Sequence, residues 1–99
     1  MAELQEERTY PGKTAKDCYQ GVLLALPKAG FKVWKQRDFG WFVIARRIVA
    51  GVEITSSILA SPGSPPSLKI NLTAKGFRQD QLRPYADELL SCVDAILSG

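Results

Sequence analysis

One stretch near the C-terminus limits the fold more than any other part of the chain. From residue 68 to residue 75 each apolar residue is followed by a polar one, in the order Leu68, Lys69, Ile70, Asn71, Leu72, Thr73, Ala74, Lys75. Successive side chains of a β-strand point to opposite faces of the sheet, so a period of two gathers the apolar residues on one face. The pattern predicts an antiparallel sheet that is covered on one side only.

Three further segments are predicted to be strands of the same sheet. They are Phe31 to Gln36, Trp41 to Ile48 and Val52 to Ser61. The Pro- and Ser-rich segment 61–66 cannot continue a ladder, because proline lacks an amide hydrogen, and it predicts an exposed hairpin loop. The run from Arg37 to Gly40 predicts the turn between the first two of these strands.

The register of the Trp41–Ile48 strand stays open, because its residues are apolar on both faces. A two-residue loop of Asp38 and Phe39 would place Trp34 and Trp41 on one face, with Arg47 further along it. A three-residue loop would put Phe42 on that face in place of Trp41.

Two amphipathic helices flank the strands. The first begins near Thr14 and is expected to stop at Pro27 and Gly30, with apolar residues at three- and four-residue spacing: Ala15, Cys18, Tyr19, Val22, Leu23, Leu26. Gly21 interrupts this helix and suggests a close approach to another element. The second begins near Asp80 and runs almost to Gly99, with the apolar stripe Leu82, Tyr85, Ala86, Leu89, Leu90, Val93, Ile96, Leu97.

These elements predict an α+β domain. Because the cleanly alternating strands have one apolar face each, both helices should pack on the same side of a four-stranded antiparallel sheet, in the order αββββα. Residues 1–12 have no periodicity and end in Tyr10-Pro11-Gly12, so we expect a flexible N-terminal arm followed by a single domain over residues 13–99.

Several kinds of chemistry are not expected. The chain has no histidine, which excludes zinc sites of the Cys/His kind and triads that need imidazole. Asp87 and Glu88 are neighbours on a solvated helical face, Asp38 and Glu53 have no obvious partner, and the glycines do not form a phosphate loop. We therefore predict no catalytic residue, no metal ligand and no cofactor.

The sequence also predicts the cellular location of the protein and the state of its two cysteines. No run of about 18 apolar residues occurs, so no membrane span is expected. The first residues are acidic and polar where a signal peptide is basic and then apolar, so we expect a cytoplasmic protein. Cys18 and Cys92 are expected to be free buried thiols, although antiparallel helices could make them neighbours.

A resemblance to a known group of proteins supports this fold. The runs 17–19, 29–33 and 38–45, together with the paired strands and the closing helix, resemble small bacterial αββββα domains of uncharacterised families. Some of these are lipoproteins, and some are similar to the helix-grip domains of outer-membrane assembly lipoproteins. The resemblance implies the fold and transfers no site residue.

Charge is divided unevenly along the chain. Residues 28–78 hold nine basic and two acidic residues, a net charge of +7, whereas the remainder holds four basic and eight acidic residues, a net charge of −4. The positive stretch includes most of the predicted sheet and both tryptophans. We therefore predict a binding surface on the open side of the sheet, formed by Lys32, Trp34, Trp41, Arg47, Lys69 and Lys75.

Such a surface indicates a non-enzymatic interaction module whose partner is another protein or a second copy of the chain in a homodimer. The alternative is nucleic-acid binding on the same face. The segment from Arg37 to Ile44 superficially matches an RNA-recognition signature, but Asp38 replaces its glycine and Ile44 its last aromatic residue. A small-ligand carrier or enzyme using the space between sheet and helices is disfavoured, because no polar groups are predicted to converge there.

Overall fold

The computed structural model describes residues 2–98, which form five strands and two helices. In chain order these are β1 (Ala2–Thr9), α1 (Ala15–Lys28), β2 (Lys32–Arg37), β3 (Phe42–Val49), β4 (Val52–Ser61), β5 (Ser67–Ala74) and α2 (Gln79–Ser98). The strands form one antiparallel sheet in the order β1-β5-β4-β3-β2. The predicted α+β class is confirmed, but the predicted four strands and the order αββββα are wrong by one N-terminal strand.

That additional strand is β1, where the sequence predicted a flexible arm. It pairs with β5 along its whole length, from Ala2 opposite Ala74 to Thr9 opposite Ser67. The prediction failed because the apolar alternation stops early. Ala2 and Leu4 are buried, but the next residue facing the helices is Glu6, which accepts a hydrogen bond from Arg83 of α2.

Both helices pack on one face of the sheet, and the inward-facing residues of every strand meet them there. Leu68, Leu72, Ile54 and Val43 are fully buried beneath the helices, and Leu89 of α2 is equally inaccessible. Residues at the intervening positions of β4 and β5 keep partial or full exposure. The predicted one-sided covering of the sheet is therefore confirmed.

The first helix begins with a reciprocal cap. The Thr14 hydroxyl accepts from the Asp17 amide, and the Asp17 carboxylate accepts from the Thr14 amide, both at 3.0 Å. The hydrogen bonds from Thr14 lower the pKa of Asp17. The helix includes Pro27 and ends at Lys28, between the two residues predicted to stop it. Pro27 has no amide hydrogen for an intrahelical bond, and the helix ends one residue after it.

Gly21 lies at a close approach of α1 to another element, as the sequence suggested, and that element is α2. A Cβ atom added there would lie 2.9 Å from Leu97 Cδ2 of α2. The missing side chain therefore lets Leu97 pack against α1.

The hairpin of β2 and β3 differs from both predicted loops. Its turn contains four residues, Asp38 to Trp41, so that Arg37 lies opposite Phe42. Asp38 is fixed in this turn, because its Oδ1 accepts from the Tyr19 hydroxyl at 2.8 Å. The pairing also shifts between Val33 and Lys35, which leaves an extra residue in β2 at position 34.

Candidate functional site on the open face of the sheet

The open face is the side of the sheet that the helices do not cover. The strand register places its residues in three rows that cross the sheet from β1 to β2. The rows are Glu3–Thr73–Thr55–Arg46–Lys32, Gln5–Asn71–Ser57–Ile44–Lys35 and Glu7–Lys69–Leu59–Phe42–Arg37. All three rows have polar or charged ends. The second row has the apolar side chain of Ile44 near its middle, and the third row has those of Leu59 and Phe42.

Four of the six predicted site residues lie on or beside this face. Lys32 and Lys69 are exposed members of the rows. Lys75 follows the end of β5 and borders a depression of about 430 Å³ together with Thr55 and Thr73. Trp34 occupies the irregular position of β2 and is 50% exposed.

The other two predicted site residues, Trp41 and Arg47, lie on the helix side of the sheet. Arg47 pairs with Ile54, whose side chain is fully buried under the helices, so the two share the inner face. Trp41 lies within the turn, packs against the core and lines a depression with Tyr19 and Leu23 of α1. Their prediction failed because β2 has an extra residue at Trp34, which reverses its alternation between Val33 and Lys35; the four-residue turn pairs the strands with the same parity as the assumed two-residue loop.

Arg47 has a structural role on that inner side. Its Nη1 donates to the Ala29 carbonyl at 2.7 Å and to Glu88 Oε2 at 3.0 Å, and its guanidinium lies 4.9 Å from the Tyr85 ring centre. Gly30 has a φ of +83°, and a Cβ there would lie 3.1 Å from Arg47 Nε. This contact joins the end of α1 to β3 and α2.

Arg46, the residue before it, faces the opposite way and forms a cluster with Trp34. The Arg46 guanidinium carbon lies 3.7 Å from the Trp34 ring centre, and Lys35 Nζ lies 4.6 Å from it. Arg46 Nε is also 3.5 Å from Glu53 Oε1 on the neighbouring strand. Two cations therefore contact an indole ring that is half open to solvent.

A shallow groove of about 580 Å³ lies on the β1 half of the open face. Phe42 and Leu59 form its apolar part, and Leu59 is 38% exposed. Lys69 and Asn71 supply polar groups. The Asn71 Nδ2 donates to Glu3 Oε2 at 3.0 Å, whereas its buried Oδ1 has no partner within residues 2–98. The groove can therefore receive an apolar group beside hydrogen-bonding groups.

The sequence missed the acidic residues and most of the apolar residues of this face. Glu3 and Glu7 were assigned to an arm, since too few apolar residues of β1 mark it as a strand. Phe42 was recognised only as the product of one possible register, and Ile44 and Leu59 were not distinguished from core residues. The alternation of β5 places Lys69 on the open face. Leu59 can be placed on the same face only when its pairing with Lys69 is known from the structure.

The remaining reactive groups do not form a second site. Cys18 and Cys92 are free, and burial raises the pKa of the Cys18 thiol. Residues 2–98 contain no group of three or more Cys, Asp or Glu side chains arranged to hold a metal ion. Over the same residues, neither helix combines the length and apolar character needed to cross a bilayer.

Comparisons with known proteins extend to the fold and no further. No family model and no curated protein matches the chain. The similar solved structures include TTHA0849 from Thermus thermophilus, with 14% identity, 97% of each chain covered and a TM-score of 0.52, and Ara h 8.0201, with 10% identity, 98% of each chain covered and a TM-score of 0.51. The chain thus shares its fold with these proteins, which confirms the resemblance found in the sequence at the level of the fold.

Proposed function

We propose that this chain is a non-catalytic interaction module that binds a protein partner through the open face of its sheet. The observation that carries the proposal is the arrangement of the three rows. Phe42, Ile44 and Leu59 form an apolar centre that no element of residues 2–98 covers, and polar or charged residues lie at both ends of the rows. An apolar centre with a polar rim is the usual anatomy of a protein–protein interface.

Nucleic-acid binding is the second candidate, favoured by the cations around Trp34. Lys35 and Arg46 contact a half-exposed indole that could stack on a base, and Lys32 lies opposite Arg46 in the strand pairing. Two features make it the weaker candidate. Arg46 already lies against the ring, and acidic residues, among them Glu53, share the face and would repel phosphates.

Capture from an extract of the source organism tests the first proposal. Leu59→Asp places a charge in the apolar centre of the open face, and Leu24→Asp makes the same change on α1, where the leucine is 61% exposed. We expect proteins retained by the wild-type chain and by Leu24→Asp to be absent with Leu59→Asp. Equal retention by all three, in chains with equal melting temperatures, would contradict binding through this face.

The second candidate has its own measurement. Fluorescence anisotropy of a labelled single-stranded oligonucleotide is recorded against salt concentration. Nucleic-acid binding predicts a log–log slope of about −0.7 for each phosphate contact and its loss in Lys32→Glu/Lys69→Glu/Lys75→Glu. No binding at about 50 mM salt would remove this candidate.

A further inference from the structure

The two outer strands of the open face carry opposite charges. On β1 the outward positions are Glu3, Gln5 and Glu7, and on β2 the ends of the same rows are Lys32, Lys35 and Arg37. Within residues 2–98 none of these charged side chains forms an ion pair shorter than 4.0 Å. Each edge therefore keeps its charge available for another molecule.

A second copy of the chain can meet this face in two symmetric ways, and only one of them brings opposite charges together. Two copies that meet face to face are related by a two-fold axis lying between the sheets. An axis perpendicular to the strands sets β2 on β2 and β1 on β1, which brings like charges together. An axis along the central strand, β4, sets β1 of each copy on β2 of the other and brings opposite charges together.

The second arrangement matches residue by residue. It keeps each row opposite the same row of the second copy, so Glu3 lies over Lys32 and Glu7 over Arg37, twice in the dimer. At the axis, Leu59 of one copy meets Leu59 of the other. The strands of the two sheets remain aligned, as they are in the common class of sheet-on-sheet packing.

The area of the face is sufficient for such a dimer. Five strands about 4.8 Å apart, most of them eight residues long at about 3.3 Å per residue, make a face of roughly 24 by 27 Å. Covering it on both copies removes about 1,300 Å² from solvent, within the range of about 1,200–2,000 Å² found for stable interfaces.

We infer that the partner of the open face is a second copy of this chain, with β1 of each copy placed over β2 of the other. This inference rests on the proposed function, because it names the occupant of the same face. The acidic edge of β1 then makes the face self-complementary, and it disfavours a nucleic-acid strand lying across the sheet.

A charge-swap experiment tests the arrangement by sedimentation equilibrium. The basic-edge variant, Glu3→Lys/Glu7→Lys, changes β1 so that both outer strands are basic. The acidic-edge variant, Lys32→Glu/Arg37→Glu, changes β2 so that both outer strands are acidic. We expect the wild-type chain to sediment at twice its 10.9 kDa mass, and the dissociation constant of either variant alone to rise at least about tenfold. An equimolar mixture of the two variants restores opposite charges at both edges, so we expect it to dimerise like the wild type.

The four changes combined in one chain are the matched control. That chain has basic β1 and acidic β2, so the inferred dimer predicts wild-type affinity for it. Circular dichroism checks that each variant is folded. Dimers of the basic-edge variant alone as tight as the wild type, or a four-change chain that stays monomeric while folded, would overturn the inferred arrangement.

The outcome separates this inference from the proposed function. A wild-type chain that remains at 10.9 kDa at millimolar concentration overturns the dimer. If Leu59→Asp then still loses a captured protein that Leu24→Asp retains, binding through the open face holds with a different partner. If Leu59→Asp loses nothing, both proposals fail.

Discussion

The two faces of the sheet use neighbouring residues for different purposes, and β3 shows the difference within one dipeptide. Arg47 points to the helices and bonds the Ala29 carbonyl and Glu88. Arg46 points to the open face, contacts Trp34 and lies near Glu53. One arginine joins three elements of the fold, whereas the other lies on a surface that a partner can reach. Two arginines at adjacent positions of one strand thus point to opposite faces of the sheet, so one stabilises the fold and the other is available for binding.

The largest expected difference between the faces is in the free energy of unfolding. Leu72→Ala removes a fully buried side chain and should destabilise the fold by about 2–5 kcal/mol, as should Leu89→Ala. Lys69→Ala, on the exposed side of the same strand, should change it by no more than about 0.5 kcal/mol. Urea denaturation measures all three, and a larger effect at Lys69 would mean that the faces are exchanged.

The two arginines of β3 give a sharper version of that comparison. Arg47→Ala removes a charged donor from the Ala29 carbonyl and should cost about 1.5–3 kcal/mol. Arg46→Ala loses a cation–π contact and an exposed ion pair, which together should cost about 1 kcal/mol or less. Equal losses in chemical denaturation would contradict the different roles assigned to the two side chains.

A smaller effect is expected at Tyr19, which ties α1 to the β2–β3 turn. Tyr19→Phe removes the hydrogen bond to Asp38 and should cost about 1 kcal/mol at neutral pH. Burial, with a contribution from Asp38, raises the pKa of Tyr19 from 10.0 to about 12 in the folded chain.

The pH dependence of this contribution follows from the direction of the shift. Because the folded state holds the phenol proton more tightly, the stabilisation is complete below pH 10 and is lost as pH rises toward 12. The difference in unfolding free energy between wild type and Tyr19→Phe should therefore shrink over that interval. A difference that is constant from pH 8 to about 12 would show that the Tyr19 proton is not held by the fold.

The smallest expected effect concerns the two tryptophans, and it involves solvent access more than stability. Trp34 is 50% exposed on the open face, and Trp41 packs partly against the core on the helix side. In solutions dilute enough for the chain to be monomeric, iodide should quench the fluorescence of Trp41→Phe, which retains Trp34, more strongly than that of Trp34→Phe. The reverse order would mean that the turn is built differently.

The fold could be predicted correctly for strands and helices in which a single apolar–polar periodicity runs through the whole element. Leu68 to Lys75 alternates without a break, so its two faces were assigned before its neighbours were known. The strand β3 is apolar on both sides, so its orientation was inferred from the alternation of β2, and no local pattern marks the extra residue at Trp34 that reverses this alternation. In the turn that follows β2, Asp38 is held by Tyr19 of α1, a contact between residues 19 positions apart.

The candidate site was predicted less completely, for a related reason. Its basic half lies within the positively charged segment and could be recognised from composition. Its acidic half lies on β1, which is held in the sheet by backbone pairing with β5 and by the contact of Glu6 with Arg83. Such support comes from residues distant in sequence, so Glu3 and Glu7 looked like part of an unstructured arm.

The most direct test of this account is the mass of the chain in solution, measured by sedimentation equilibrium for wild type and Leu59→Asp at the same concentration. We predict a wild-type mass near twice 10.9 kDa, a mass of 10.9 kDa for Leu59→Asp, and equal melting temperatures once the dimer contribution is removed by dilution. The same mass for both chains would contradict the claim that the open face binds a second copy.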